Sequence, residues 1–210
     1  MTRGVFITGT DTGVGKTVLS ALLTAALEGC YWKPIQTGAR EGTDREAVRR
    51  FAEAPEARLL PETYCFEPPV SPHLAAQWAG VRIDLENIRL PKVAARAPLI
   101  VEGAGGALVP INERDLMADL MRRLELPIVL VARTTLGTIN HTLLALEALR
   151  ARELEVRGVV MVGPENAENR RAIEHYGSAR VVGHIPVLAE VCRSALLETF
   201  RNRFDRREFR

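Results

Sequence analysis

Gly9-Thr10-Asp11-Thr12-Gly13-Val14-Gly15-Lys16-Thr17 lies between the apolar run Val5-Phe6-Ile7 and a segment of helical spacing, and its reading decides the fold. Gly13 and Gly15 let the backbone N–H groups turn inward, and the following helix adds the positive end of its dipole, so a polyphosphate fits there. Lys16 would place a point charge on the outer phosphates. The Thr17 hydroxyl would ligate a magnesium ion bridging them.

The order strand, loop, helix supports a P-loop reading, with one departure. The usual pattern has glycine five residues before Gly15, where this chain has Thr10 and its glycine is displaced to Gly9. A variant P-loop group carries a second lysine at the position of Thr10, so its typical members are also disfavoured.

Downstream, Val18, Leu19, Leu22, Leu23, Ala26 and Leu27 predict a helix over 16–28. A strand over 30–33 ends at Pro34 and puts Lys33 and Thr37 at a strand end, where open α/β sheets bind ligands. As a strand-end residue, Lys33 is expected to contribute little to the core. Asp44 precedes a helix over 46–54 and either caps it or faces the metal. The prolines at 55, 61, 68, 69 and 72 predict a long irregular loop. Ser71-Pro72 then caps and opens a helix to residue 79, with His73 a polar residue at its start.

Leu99-Ile100-Val101 is a buried-type strand ending in Glu102-Gly103-Ala104-Gly105-Gly106. An acid at that tip can order the magnesium shell of a P-loop enzyme, which makes Glu102 the strongest metal-facing candidate. Helices follow over 115–124, 138–152 and 165–176, with strands over 128–132, 159–162 and 181–185. The turn at 134–138 offers backbone donors to an anion, with Asn140 and His141 in the next helix's first turn; a plain polar cap is the alternative. Residues 201–210 hold five arginines and read as an exposed helical tail.

The 210 residues, 47% hydrophobic, suit one α/β domain with a mostly parallel β-sheet flanked by helices on both faces. A net charge of +2 gives no general pull toward nucleic acid or anionic membrane. No apolar run approaches the roughly 18 residues of a membrane span, and the chain enters its first strand without a signal peptide, a cytoplasmic pattern. Cys30, Cys65 and Cys192 lie far apart and read as buried free thiols rather than a disulfide framework or zinc site. Of 28 basic residues only Lys16, Lys33 and Lys92 are lysines, and two of these fall in the chemical segments.

The combination of residues 8–17, Lys33-Pro34 with Thr37-Gly38, Ser71-Pro72-His73, residues 101–106 and Leu136-Gly137-Thr138-Ile139-Asn140-His141 resembles the dethiobiotin synthetase family along nearly the whole chain. The resemblance implies a homodimeric P-loop enzyme that uses ATP and Mg2+ with 7,8-diaminononanoate and CO2. It further implies that Lys16 and Lys33, with Thr12, serve the carbamate and γ-phosphate. Thr17, Asp44 and Glu102 order the metal, and Thr12, Thr37, Gly137, Thr138, Ile139 and Asn140 receive the substrate, the last four from the neighbouring subunit. The nucleotide is held by Gly13, Val14, Gly15, Lys16, Thr17, Val18, Asp44, Glu102, Gly103, Ala104 and Gly105, and by Val162, Gly163, Pro186, Val187 and Leu188.

Two positions depart from better-known members. Gly13 stands where an acid can occur, and Val162-Gly163-Pro164 stands where some members have an adenine-reading asparagine. A looser base preference is expected. A partitioning or switch ATPase would typically show the second loop lysine, absent at Thr10. An amidotransferase of the cobyrinate type would need a further glutaminase domain, for which there is no room.

Overall fold

The computed structural model describes residues 4–93 and 97–209. Residues 1–3, which lead toward the first strand, and Arg210, the last arginine of the tail, lie outside the described residues. The centre is β1 (Gly4–Gly9), whose side chains are buried from Val5 onward, as a parallel strand covered on both faces requires. It leads through the phosphate loop into α1 (Lys16–Ala26), then β2 (Cys30–Trp32) and β3 (Ile35–Gln36). Next come α2 (Asp44–Ala52), β4 (Leu59–Leu60), β5 (Tyr64–Cys65) and α3 (Pro72–Trp78).

The second half alternates β6 (Leu99–Gly106), α4 (Met117–Leu124), β7 (Ile128–Arg133), α5 (Thr138–Arg150), β8 (Val156–Val162), α6 (Ala167–Gly177), β9 (Val181–Ile185) and α7 (Arg193–Arg203). Seven strands form one sheet in the order β4-β2-β6-β1-β7-β8-β9, while β3 and β5 pair separately. All these named strands pair in parallel. The chain works outward from β1 first toward β4 and then toward β9. That reversal opens the crevice beyond the strand ends in which α/β sheets hold ligands.

Alternate strand residues sort the core. Ile7, Val129, Val131 and Val160 pack with Leu19, Leu22 and Leu23 of α1 and Leu196 and Phe200 of α7. Phe6, Leu99, Val101 and Ile128 face the other way, onto Met117, Leu120 and Met121 of α4. Beyond them Leu130, Ala132, Val159 and Met161 meet Leu146 of α5 and Ile173 of α6. Helices thus cover both faces. No helix among the described residues is long and apolar enough to cross a membrane.

Four expectations need correction. Residues 55–72 are not wholly irregular: the prolines confine regular structure to short pieces, yet Leu59 and Leu60 pair with Tyr31 and Trp32 at the sheet edge, and Tyr64 and Cys65 pair with Ile35 and Gln36. An edge position tolerates the nearby Pro61 because one side of the strand needs no ladder. Ser71 occupies the N-cap position of α3 without capping it; its hydroxyl lies 3.0 Å from His73 Nδ1 instead. Only Cys30 is buried, whereas Cys65 is exposed and Cys192 half-buried.

The tail is the fourth correction. Phe204 pairs with Gly183 across the edge of β9, and Phe200, Phe204 and Phe209 form a buried triad with ring centroids 5.5 to 6.1 Å apart. The arginine-rich composition of residues 201–210 hid two aromatic anchors, Phe204 and Phe209. Phe204→Ala is therefore expected to cost about 3 kcal/mol in urea unfolding, whereas Arg201→Ala, on the exposed side, should change stability by less than about 0.5 kcal/mol.

Candidate active site

Gly13 and Gly15 adopt φ of 69° and 103°, the left-handed region that glycine occupies freely. The turn just before them, at Asp11 and Thr12, is held from two sides. From within, Lys16 Nζ donates to the Asp11 carbonyl at 2.9 Å. From outside, Arg133 Nη2 donates to Asp11 Oδ2 at 2.8 Å and to the Thr12 carbonyl at 3.2 Å.

The register of the sheet brings the other groups to this loop. Glu102 lies opposite Ile7 in the β1–β6 pair, and Trp32 lies opposite Val101, so Lys33 emerges beside Glu102. Thr43 caps α2 through a reciprocal box with Glu46. That removes the capping alternative at Asp44: its backbone N–H donates to Gln36 Oε1 at 3.1 Å, and its carboxylate lines the cleft.

Glu102 is 1% exposed. Its Oε1 accepts from Thr17 Oγ1 at 2.9 Å and lies 3.5 Å from Lys33 Nζ. Its Oε2 accepts from Ser20 Oγ at 2.7 Å and from the Tyr31 hydroxyl at 3.0 Å. Thr17 Oγ1 also lies 2.9 Å from Asp44 Oδ1, and the Lys33 ammonium pairs with Asp44 Oδ2.

Thr17 has one hydroxyl proton for two carboxylate oxygens. Thr17 Oγ1, Asp44 Oδ1 and Glu102 Oε1 therefore form a hard-oxygen set with more lone pairs than protons, the chemistry that suits magnesium. Among the described residues no group of three or more His, Cys, Asp and Glu side chains could hold a metal unaided. Magnesium at phosphate sites needs only one or two carboxylates, with phosphate and water completing its shell, so the residues fit it.

Burial pushes the Lys16 pKa down, and nearby Lys33 acts the same way against partial opposition from Glu102 and Asp44. Burial would also lower Lys33, but Glu102 and Asp44 outweigh it and the pKa is raised. Asp44 is held below the ordinary carboxylate value because Lys33 and the Thr17 hydrogen bond overcome the opposing effect of burial. Burial, followed by Glu102, lifts the Tyr31 phenol well above its usual range, so it stays a donor.

A cleft of about 570 Å³ brings together Thr12, Gly13, Gly15, Lys16, Thr17, Val18, Lys33, Thr37, Asp44, Glu102, Ala104 and Gly105. Val14 is instead buried in the core, and Gly103 backs onto Phe6. Val162 lies against Gly15, whereas Gly163, Pro186, Val187 and Leu188 fall outside the cleft lining; Gly163 N bonds Ile185 O at 2.9 Å, and Val187 is largely exposed. Gly137, Thr138, Ile139 and Asn140 do not reach the cleft of their own chain. Thr138 Oγ1 donates inward to the Arg133 carbonyl at 2.5 Å.

Sequence reading assigned no role to Ser20 or Tyr31. Both were recoverable from spacing, since Ser20 is one helical turn beyond Thr17 and Tyr31 shares a strand face with Lys33. It also gave no lining role to Pro69, Val70, Ser71 or Val109, which form cleft walls and carry no such periodic signal. At Gly163 φ is 130°, and an added Cβ would run into Thr134 Oγ1.

The chain matches the AAA domain family profile (AAA_26) over residues 3–195. It is 50% identical over 209 residues to the ATP-dependent dethiobiotin synthetase BioD of Rhodopseudomonas palustris (strain HaA2), covering 100% of this chain and 97% of that protein. It is 55% identical over 194 residues to the protein of the same name from Paramagnetospirillum magneticum (strain ATCC 700264 / AMB-1), covering 92% and 93%. Among solved structures, a ParA family ATPase from Chlorobium tepidum TLS superposes with a TM-score of 0.57 at 11% identity, covering 94% of this chain and 97% of that one. The MinC:MinD cell division protein complex of Aquifex aeolicus gives 0.57 at 15% identity, covering 95% and 94%. At these identities the structural likeness shows the fold alone.

Lys33 is 7% exposed and lies between two carboxylates, so the expectation that it adds little to the core is corrected. In metal-free buffer at pH 7, Lys33→Ala is expected to lower unfolding free energy by about 3 kcal/mol, because it strands buried carboxylates. The raised Lys33 pKa means that its contribution is complete below about pH 10.4 and is lost as pH rises through the raised value. The lowered Asp44 pKa means that Asp44's share holds above about pH 3.9 and fades as pH falls through the lowered value. Urea midpoints across pH should show a flat deficit between these limits.

Proposed function

The chain belongs to the dethiobiotin synthetase family, and on that premise we propose that its cleft carboxylates 7,8-diaminononanoate with CO2 and closes the ureido ring at the expense of ATP. The fold is that of a P-loop NTPase and the enzyme is an ATP-dependent ligase of biotin biosynthesis. The observation that carries the finer reading is the convergence of Lys16, Lys33 and the oxygens of Thr17, Asp44 and Glu102 in one cleft.

One amine of the substrate adds to CO2 and loses a proton to give a carbamate. A carbamate oxygen attacks the γ-phosphorus, the bond to the ADP oxygen breaks, and a carbamic-phosphoric mixed anhydride results. The second amine then attacks the carbonyl carbon and expels phosphate, closing the ring. Little covalent chemistry falls to the protein, so positioning and charge neutralisation dominate.

Lys16 leaves the Asp11 carbonyl to meet the γ-phosphate. Lys33, already charged between Asp44 and Glu102, turns to the carbamate oxygens. Thr12 and Thr37 flank the reacting end. Thr17, Asp44 and Glu102 would hold magnesium, which would supply further positive charge at the phosphate site. The nucleotide's remainder is read as passing Val162 and Gly163 toward Pro186, Val187 and Leu188.

The reading includes a single ligase domain, a cytoplasmic setting and a homodimer. Three free thiols suit a reducing compartment. Leu136 is fully exposed and Leu144 is 56% exposed on the α5 side, an apolar surface that a second copy would cover. There, residues 137–140 of one subunit would receive the substrate carboxylate in the other's cleft.

ADP release with ATP and Mg2+ is expected to require the diamine and bicarbonate together; turnover that ignores both would remove the ligase reading. Because Val162 offers the base no hydrogen-bonding side chain, kcat/KM for ATP, CTP and GTP should agree within about tenfold, the worth of one hydrogen bond. Steep discrimination would count against that. Leu136→Asp should yield a monomer by sedimentation velocity, with activity lost.

A further inference from the structure

The two oxygens of Glu102 have different surroundings: Oε1 meets side chains that line the cleft, and Oε2 meets two that do not. Oε1 faces Thr17 and Lys33, whereas Oε2 faces Ser20 and Tyr31. Ser20 carries one proton and has a second acceptor, the Lys16 carbonyl at 2.9 Å, the back-bond that helical serines often make. Tyr31 is unlike it. Its hydroxyl has Glu102 Oε2 as its hydrogen-bond partner among the described residues, and its ring is 0% exposed in the core beneath α1.

A rigid ring fixes where its hydroxyl lies, and a hydroxyl fixed on one carboxylate oxygen sets the rotation of that carboxylate. We propose that Tyr31, assisted by Ser20, is a positioning residue that holds Glu102 by Oε2 so that Oε1 faces Thr17 and the phosphate site. Ring burial alone would be served equally by phenylalanine, so the hydroxyl is the part that acts. The inference rests on the reading of Glu102 as a metal-facing carboxylate. Partners that orient metal-facing carboxylates are commonly worth about 10- to 100-fold in metal affinity.

The test is calorimetric binding of ADP to the full-length wild type, Tyr31→Phe and Ser20→Ala, each with magnesium and with a chelator, alongside unfolding midpoints and steady-state kinetics. Tyr31→Phe should bind magnesium-ADP about tenfold more weakly than wild type and match it in chelator. Its kcat should fall while KM for the diamine stays unchanged; Ser20→Ala should move the same way by less.

Equal loss of ADP affinity with and without magnesium in Tyr31→Phe would assign Tyr31 to the fold alone and overturn the proposal. A variant indistinguishable from a magnesium-dependent wild type would overturn it too, leaving the metal reading intact. A wild type whose ADP affinity ignores magnesium would overturn that reading and this inference together.

Discussion

A carboxylate with 1% exposure must be met by donors on every side, because an unpaired buried charge is too costly to keep. Glu102 therefore dictates its surroundings. Thr17 and Ser20 reach it from α1, Tyr31 and Lys33 from β2 and the residue beyond. Asp44 joins through Thr17 and Lys33. Segments from three separate parts of the chain are thereby tied at one point, directly above the strand register that sets Glu102 beside Ile7.

The same demand explains why lysine stands at position 33 in a chain whose basic residues are mostly arginine. A compact ammonium can sit between two carboxylates and still swing away on a flexible stem, which a planar guanidinium fork does less readily. The Lys16 ammonium is likewise bonded to a backbone carbonyl across the loop. Both ammonium groups are held at the edge of the cleft by protein oxygens, and each sits on a flexible stem.

Much of this was legible in the sequence where local chemistry and strand ends coincide. Gly13, Gly15, Lys16 and Thr17 declare the loop, Glu102 follows the apolar run Leu99-Ile100-Val101 although β6 continues past it to Gly106 rather than ending there, and the alternation of strands and helices predicts a parallel sheet covered on both faces. What escaped depended on non-local pairing. Leu59-Leu60 looked like loop between prolines because a two-residue edge strand has no periodicity of its own. Phe204 and Phe209 were masked by arginines, and Tyr31 passed for ordinary core because nothing near it in sequence announces a buried acid 71 residues later. Asp44 was ambiguous until Thr43 proved to be the cap.

The pairing of Phe204 with Gly183 matters beyond local packing. Sheets end in rows of unpaired amides that can recruit strands from other molecules. Here β4, at one margin, is two residues long. At the other margin the chain folds back, with an aromatic ring seated where Gly183 has no side chain to block it. Neither border offers a long template for runaway strand addition.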